Sequence, residues 1–501
     1  MFHLYLGALY SVIRNCIYNQ FGFPKVVYMP GLYVAMMGES DLTRDLGLYS
    51  AVTLSMGAMI GGGIFVLPAV GYKKAGPAII VAYLLAGLIV LPNALSKAEM
   101  ATAMPEDGGT YIYIDRAMGP LFGTIAGIGV WFSLVFKSAF ALVGLGAYLL
   151  LLVSIPATLV KVVALVLGIL VILLNVVGTK KSGQVQGILV TFAVVVLGAY
   201  VVGGIGPSES VQYTPFATRG IGGIATATAF VFVSYAGIGE VASVAEEIAD
   251  PGQNIPRAML ISIGMMMLIY TTVVGVIVGV VPTETLIHGG PGGGTSLTPM
   301  ADGAESVFGG VGVTVVAITA VLALISMANA GILGTSRFLL AMSRDSLLPD
   351  QVGQINRRFL TPVNAVLVTG GVLLALIAFV PVVNLAKLAS AFLILVFSLE
   401  NISVIVFREA DVDFYNPEFR SPGYPIVQIL GVVGGVILMI QMGLVSIIGA
   451  IGISAGSAVW YLGYARSRTE RTGALATYFH REPDLSKPLN EAAASPKEED
   501  D

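Results

Sequence analysis

"GAMIGGGIFVLP" (Gly57–Pro68) sets four glycines and a proline within twelve residues of an otherwise apolar stretch. Glycine and proline are the poorest helix formers, and in lipid there is no water to satisfy a backbone that leaves the helix. Such backbone survives at membrane depth only where protein buries it or where it lines a cavity. A span that unwinds there presents free N–H groups at the start of its second half. Together with the positive end of that half-helix they suit a carboxylate. Carbonyls ending the first half can face an ammonium, so one broken helix offers partners to both charged groups of an α-amino acid. The same glycines also permit close helix packing, which is common in membranes. On this stretch alone both readings stand.

The membrane follows from composition. Of 501 residues, 56% are hydrophobic and 11% charged, with a mean hydropathy of +0.87, whereas a soluble domain carries roughly a quarter charged residues. Apolar runs of about twenty residues, enough to cross a bilayer as a helix, recur along the chain. They fall at approximately 46–69, 76–104, 119–150, 156–176, 184–204, 221–245, 257–281, 311–340, 362–380, 385–407, 424–442 and 444–464. The pattern is that of an all-α polytopic membrane protein with about twelve transmembrane helices. A β-barrel would read as short alternating segments. Turn chemistry such as "SIP", "GIGPSES" and "HGGPGGG" separates the spans. The single cysteine, Cys16, forms no internal disulfide, and three histidines are too few for a metal cluster. No metal or other cofactor is expected, and a net charge of -4 gives no reason to invoke nucleic acid.

Basic residues set the expected orientation. With a cytoplasmic amino end, the outer side holds Lys73, Lys74, Arg219 and, at a span edge, Lys161. The inner side holds Lys97, Arg116, Lys180, Lys181, Arg257, Arg337, Arg344, Arg357, Arg358, Arg408, Arg420, Arg466, Arg468 and Arg471. This positive-inside bias predicts a multi-pass cell-membrane protein with both termini cytoplasmic, although "YKK" at 72–74 runs against it. Residues 1–44 form an N-terminal segment. Its first 35 residues, broken by Arg14, Asn15, Asn19, Pro24 and Lys25, make a poor signal peptide, and Met36 or Met37 offers an alternative start. From 465 to 501 the chain turns polar and ends in "KEEDD", which reads as a solvated, disordered cytoplasmic tail.

A second interruption lies in "FVFVSYAGIGEVASVAEE" (Phe230–Glu247), where Ser234, Gly237, Gly239 and Glu240 fall inside the sixth span. The breaks are therefore five spans apart. A repeat of five helices crosses the membrane an odd number of times, so its second copy is inverted. Interrupted segments at matching positions of two inverted halves point to a transporter's midplane site.

These residues also carry a family resemblance. "GAMIGGGIFVLP" resembles the first-helix signature of the amino acid–polyamine–organocation (APC) transporter superfamily. The likeness continues through "AGPAIIVAYLLAGLIV", "ALSKAEMATAMPEDGGTYIYIDRAMGP", "FVSYAGIGEVASVAEEIADPGQNIPRA", "SRFLLAMSRDSLLP" and "FRSPGYPIVQILG". These blocks occur in the family's order and cover most of the chain from about 45 to 464. The resemblance implies a LeuT-like five-plus-five inverted repeat with discontinuous helices one and six. Its halves would be 45–204 and 221–407, followed by two further helices at 424–464.

Site residues transfer position by position from that resemblance. Gly61, Gly62 and Gly63 match the glycine-rich loop and would hold a substrate carboxylate through backbone N–H groups. Many relatives have serine where this chain has Gly62, so a hydroxyl donor is missing. Phe232, Val233, Ser234, Tyr235 and Gly237 match the sixth-helix break. Carbonyls near Phe232 and Val233, with Ile60 opposite, are the candidates for the ammonium, and an aromatic ring could cover the bound amino acid.

Ionisable groups inside spans mark function by default. Lys137, near the centre of span three, must find an acid or a carbonyl cage, or lose its proton. Glu240 is a candidate partner or a proton carrier itself. A permanent structural ion pair, or a Lys137 tip reaching an open vestibule, is the plainer alternative. Glu99, Glu246 and Glu247 lie toward inner span ends, and Glu400 in the inner half of span ten. Several proton-coupled relatives place a lysine in span five where this chain has approximately Ala193, and span five contains no basic residue. Three possibilities follow: Lys137 takes over proton coupling, a sodium ion binds between spans one and eight near Ser326 and Asn329, or transport runs without ion coupling.

The expected function is alternating-access transport of an amino acid, neutral rather than cationic because no second buried acid clearly faces the pocket. A cationic amino acid or polyamine carrier and a substrate sensor on the transporter fold are the alternatives. A membrane enzyme would need nucleophile, metal or acid–base clusters, and a channel a continuous polar stripe or filter. The sequence shows neither, and it does not fix an oligomeric state.

Overall fold

Apolar runs of bilayer length must close their backbone hydrogen bonds internally, and they do so here as helices. The computed structural model describes residues 46–480, apart from 106–108, 154–155, 178–182, 291–292, 357, 360 and 470. Residues 1–45 lie outside the described residues, as do the expectations about residues 1–35 and the start at Met36 or Met37. Among the described residues the only extended pairing is one isolated bridge, Leu46 with Ile248.

Among the described residues nine helices are long and apolar enough to cross a membrane, and three shorter apolar helices, Leu48–Met59, Val363–Phe379 and Ile426–Gln441, join them. They match the twelve expected spans, with some shifts of boundary. Span one does not stop at 69: it ends as a helix at Leu67–Ala75 and turns at Gly76 (φ 64) into span two, Ile79–Ala103. Lys73 and Lys74 thus occupy the last turn of that helix, where cations offset the negative carbonyl end. Lys74 also lies 5.6 Å from the Phe230 ring. This gives the "YKK" at 72–74 a local physical reason. Span eight, expected at 311–340, runs from Pro299 to Arg344 with a kink at Gly309 (φ 62). Asp302 and Glu305 near its start hid that first part from a hydropathy reading.

Among the helices long enough to cross a membrane in the described residues, span three (Pro120–Leu152) is the most enclosed, and it packs against spans eight and ten (Val382–Ala410). Its glycines let neighbours approach, as small residues do at membrane helix interfaces. Gly144 faces Val66 of span one and Gly127 faces Met342 of span eight. Leu173, Ile188 and Val202 on spans four and five are exposed; lipid tails are the medium that covers such faces.

The tail is more ordered than its composition predicts. Residues Ala474–His480 form a helix, with Ala474 buried. Ahead of it, Arg471 pairs with Asp345 at the end of span eight, and Tyr111 donates to the same carboxylate. Burial pushes the nearby Asp115 carboxyl up to about 6, against the opposing pull of Arg471 and Arg116. The expected disordered tail is corrected to that extent; residues 481–501 lie outside the described residues.

Candidate functional site

Span one breaks where its glycines predict. Its first helix ends at Met59, Ile60 is extended (φ -69, ψ 106), and a helical turn resumes at Gly62–Phe65. Ile64 and Phe65 donate to the Gly61 carbonyl at 3.1 Å each, and Val66 donates to that of Gly62. The amides of Gly62 and Gly63 open this turn, where no carbonyl lies one turn back to receive them. Gly61 has φ 178, which any residue adopts, so space rather than backbone angle demands glycine. A Cβ on Gly61 would overlap Met327 Sδ, one on Gly62 would come 2.5 Å from the Phe140 ring, and one on Gly63 2.6 Å from Ser234 Cβ. The missing side chains let Met327, Phe140 and Ser234 pack directly on this backbone.

Span six breaks differently. After Gly220–Val231 it tightens into a 3-10 helix over Phe232–Ile238, then continues as Gly239–Ser243. The expected unwound segment is therefore a seven-residue 3-10 stretch. Such stretches rarely exceed about four residues, and inside a helix they often mark a hinge. With no glycine run or proline at its start, this segment keeps its carbonyls bonded three residues along. Phe232, Val233, Ser234, Tyr235 and Gly237 are all buried in it.

The two breaks are in contact. Gly63 packs on Ser234, and Gly237 packs on the Ala58–Met59 peptide, 2.6 Å from where its Cβ would be. Tyr270 of span seven (Pro251–Val280) donates to the Met59 carbonyl at 2.7 Å and approaches that of Ser234 at 3.0 Å, spanning both. Tyr83 donates to the Gly63 carbonyl, and Tyr235 donates to the Tyr83 carbonyl at 2.9 Å. Three tyrosines thus fasten spans one, two, six and seven around Gly63. Their hydroxyls were not singled out in the sequence, because the contacts join residues up to 211 positions apart.

Lys137 also reaches this region. It is 4% exposed, and its Nζ donates to the Ala58 carbonyl at 2.9 Å. Of the two expected kinds of partner the structure supplies a carbonyl. Glu240, half-buried beyond the 3-10 stretch, acts on Lys137 only through space. Ser326 and Asn329 turn to different neighbours. Ser326 Oγ donates to Gln186 Oε1 at 3.0 Å, and Asn329 Oδ1 accepts from Asn175 at 2.7 Å. A cavity of about 20 Å³ lies between Gly57, Ile60, Gln186, Ala193, Thr319 and Ser326, room for about one water.

A buried ion pair escaped the sequence reading. Lys97 of span two meets Glu400 of span ten at 2.9 Å, and both are fully enclosed. Thr110 accepts from Lys97 at 2.9 Å, Asn93 donates to Glu400 at 2.6 Å, and the Phe397 ring lies 5.0 Å from the ammonium. Phe397 in turn meets Phe232 of the 3-10 stretch, ring centroids 5.8 Å apart. Arg408 holds Glu99 through Nη2 at 2.6 Å and Nε at 2.8 Å.

The profile of the amino acid permease family matches residues 46–465. The chain belongs to that family. A branched-chain amino acid permease of Bacillus subtilis is 29% identical to it over 460 residues, 88% of this chain and 97% of the relative. One of Lactococcus lactis is 30% identical over 446 residues, 84% and 91% of the two chains. A methylthioribose transporter of Bacillus subtilis is 26% identical over 455 residues, 87% and 96%. The permease is thus a multi-pass membrane protein whose relatives are transporters rather than enzymes. Among its described residues no group of three or more histidine, cysteine or acidic side chains could hold a metal ion.

Proposed function

We propose that the permease carries neutral amino acids by alternating access around a midplane site at the two breaks. The observation that carries this reading is the contact of Gly61–Gly63 with the Phe232–Ile238 stretch, a glycine backbone with amides at a helical start. The carboxylate sits on the Gly61–Gly63 amides, and the ammonium faces the Ile60 carbonyl and the second lone pairs of the Phe232 and Val233 carbonyls, whose first lone pairs serve the 3-10 turn. Phe140, Phe232, Tyr235 and Met327 supply an uncharged wall, which favours an aliphatic side chain. Two relatives are branched-chain amino acid permeases by name, in line with that preference. The fold is an inverted repeat of 45–204 and 221–407, with both termini cytoplasmic.

Coupling is by proton or by exchange. A sodium ion near Ser326 would have to part its hydroxyl from Gln186, and no acidic side chain lines the cavity there. Lys137, bound to the last turn of span one's first half, is the group placed to couple its charge to that helix.

The test is competition for uptake of labelled L-leucine into proteoliposomes. L-valine and L-isoleucine should block uptake, and excess L-lysine or putrescine should not. Equal block by L-lysine would replace this reading with the cationic one; binding of leucine without uptake would replace it with a sensor.

A further inference from the structure

The Gly62 amide already has a partner. Its N–H points at Met327 Sδ, 3.2 Å away, from a side chain on span eight that is 4% exposed. The rest of the Met327 arm lies along the neighbouring peptide: Cγ and Cβ come within 3.2 and 3.3 Å of the position a Gly61 Cβ would take. The Phe140 ring also packs on Gly62, 2.5 Å from where its Cβ would be. A thioether is among the weakest acceptors a protein has, and this one holds a buried backbone donor.

We infer that Met327 is a stand-in ligand for the substrate carboxylate and sets the permease's affinity and its selection for acids. The inference rests on the reading of Gly61–Gly63 as the carboxylate cradle. An oxygen accepting from the Gly62 amide would sit about 2.9 Å from the nitrogen, in the space the sulfur fills. Both cannot be there, so binding requires Met327 to withdraw. Its three rotatable bonds permit that. While substrate is absent the sulfur keeps the amide from being buried unpaired, a state that costs more than the bond itself contributes. A carboxylate, making a charge-assisted bond roughly twice as strong as a neutral one, displaces it. A carboxamide at the same place gains far less over the sulfur. Met327 thereby raises the threshold against neutral ligands.

The test compares the apparent KM for L-leucine in reconstituted wild type, Met327→Ala and Met327→Gln, with L-leucinamide as competitor. Removing the stand-in should lower KM about five-fold, the worth of one modest hydrogen bond, and let leucinamide compete better. Glutamine has similar length and a stronger acceptor, so Met327→Gln should raise KM by about the same factor. A side chain that only packs would not move KM in opposite directions. Shifts of the same sign, or none, overturn the inference while leaving the cradle intact. Should Met327→Ala fail to fold, Met327→Leu, which keeps the bulk and lacks the acceptor, takes its place and should lower KM in the same way. If leucinamide competes with wild type as well as leucine does, the cradle reading itself fails and the Met327 inference with it.

Discussion

Lys97→Met is expected to destabilise the permease by about 3–5 kcal/mol, the usual cost of leaving one member of a buried ion pair without its partner. Glu400 would keep Asn93 as a donor and would lie enclosed with no cation. The loss should appear as a marked fall in the temperature at which the detergent-solubilised protein stays monodisperse. Lys97→Met with Glu400→Gln should recover most of it, because the double variant removes both charges and keeps an acceptor for Asn93. Replacing a whole buried pair is often neutral. A double variant as unstable as the single would show that lost packing, not an unpaired charge, causes the damage. A stable single variant would mean that the pair contributes nothing.

Lys137→Met is expected to act in the opposite sense, lowering uptake while sparing the fold. Lys137 is enclosed, and its hydrogen-bond acceptor is the neutral Ala58 carbonyl. Burying an ammonium on a carbonyl is costly, and methionine fills much the same volume without that cost. Thermal stability should therefore hold or rise. Ala58 lies in the last turn of the helix that ends at Met59, and the next carbonyl, that of Met59, is taken by Tyr270. The Lys137 charge thus sits on the negative end of a half-helix at the candidate site. Its loss should reduce uptake at least about ten-fold, equivalent to about 1.4 kcal/mol on the transport barrier. Undiminished uptake with lowered stability would return Lys137 to a purely structural role.

How much of this was legible depended on the range of the physics. The spans were legible because each must be apolar over its own length. Their ends were less so where a polar first turn, as at Asp302, belongs to a long helix. The first break was plain from Gly61–Gly63. The second was legible in position but not in form, since Gly237 and Gly239 without a glycine run tighten the helix instead of unwinding it. The two uses of the first-break glycines were not separable from sequence; the structure shows the close packing. Lys137 stood out as a lone charge, yet its partner is a backbone atom that carries no sequence signal. Lys97 and Glu400 were counted as inner-side charges, and only the packing of span two on span ten reveals them as a pair. The helix at Ala474–His480 is too short for its periodicity to be read.

Counterflow tests the central claim, a single site that opens alternately to the two sides. Proteoliposomes containing the permease are loaded with unlabelled L-leucine and diluted into labelled L-leucine with no ion gradient. Alternating access at the two breaks predicts a transient accumulation of label above equilibrium, absent from vesicles loaded with L-leucinamide. Label that enters only to equilibrium, at a rate indifferent to internal leucine, would contradict it.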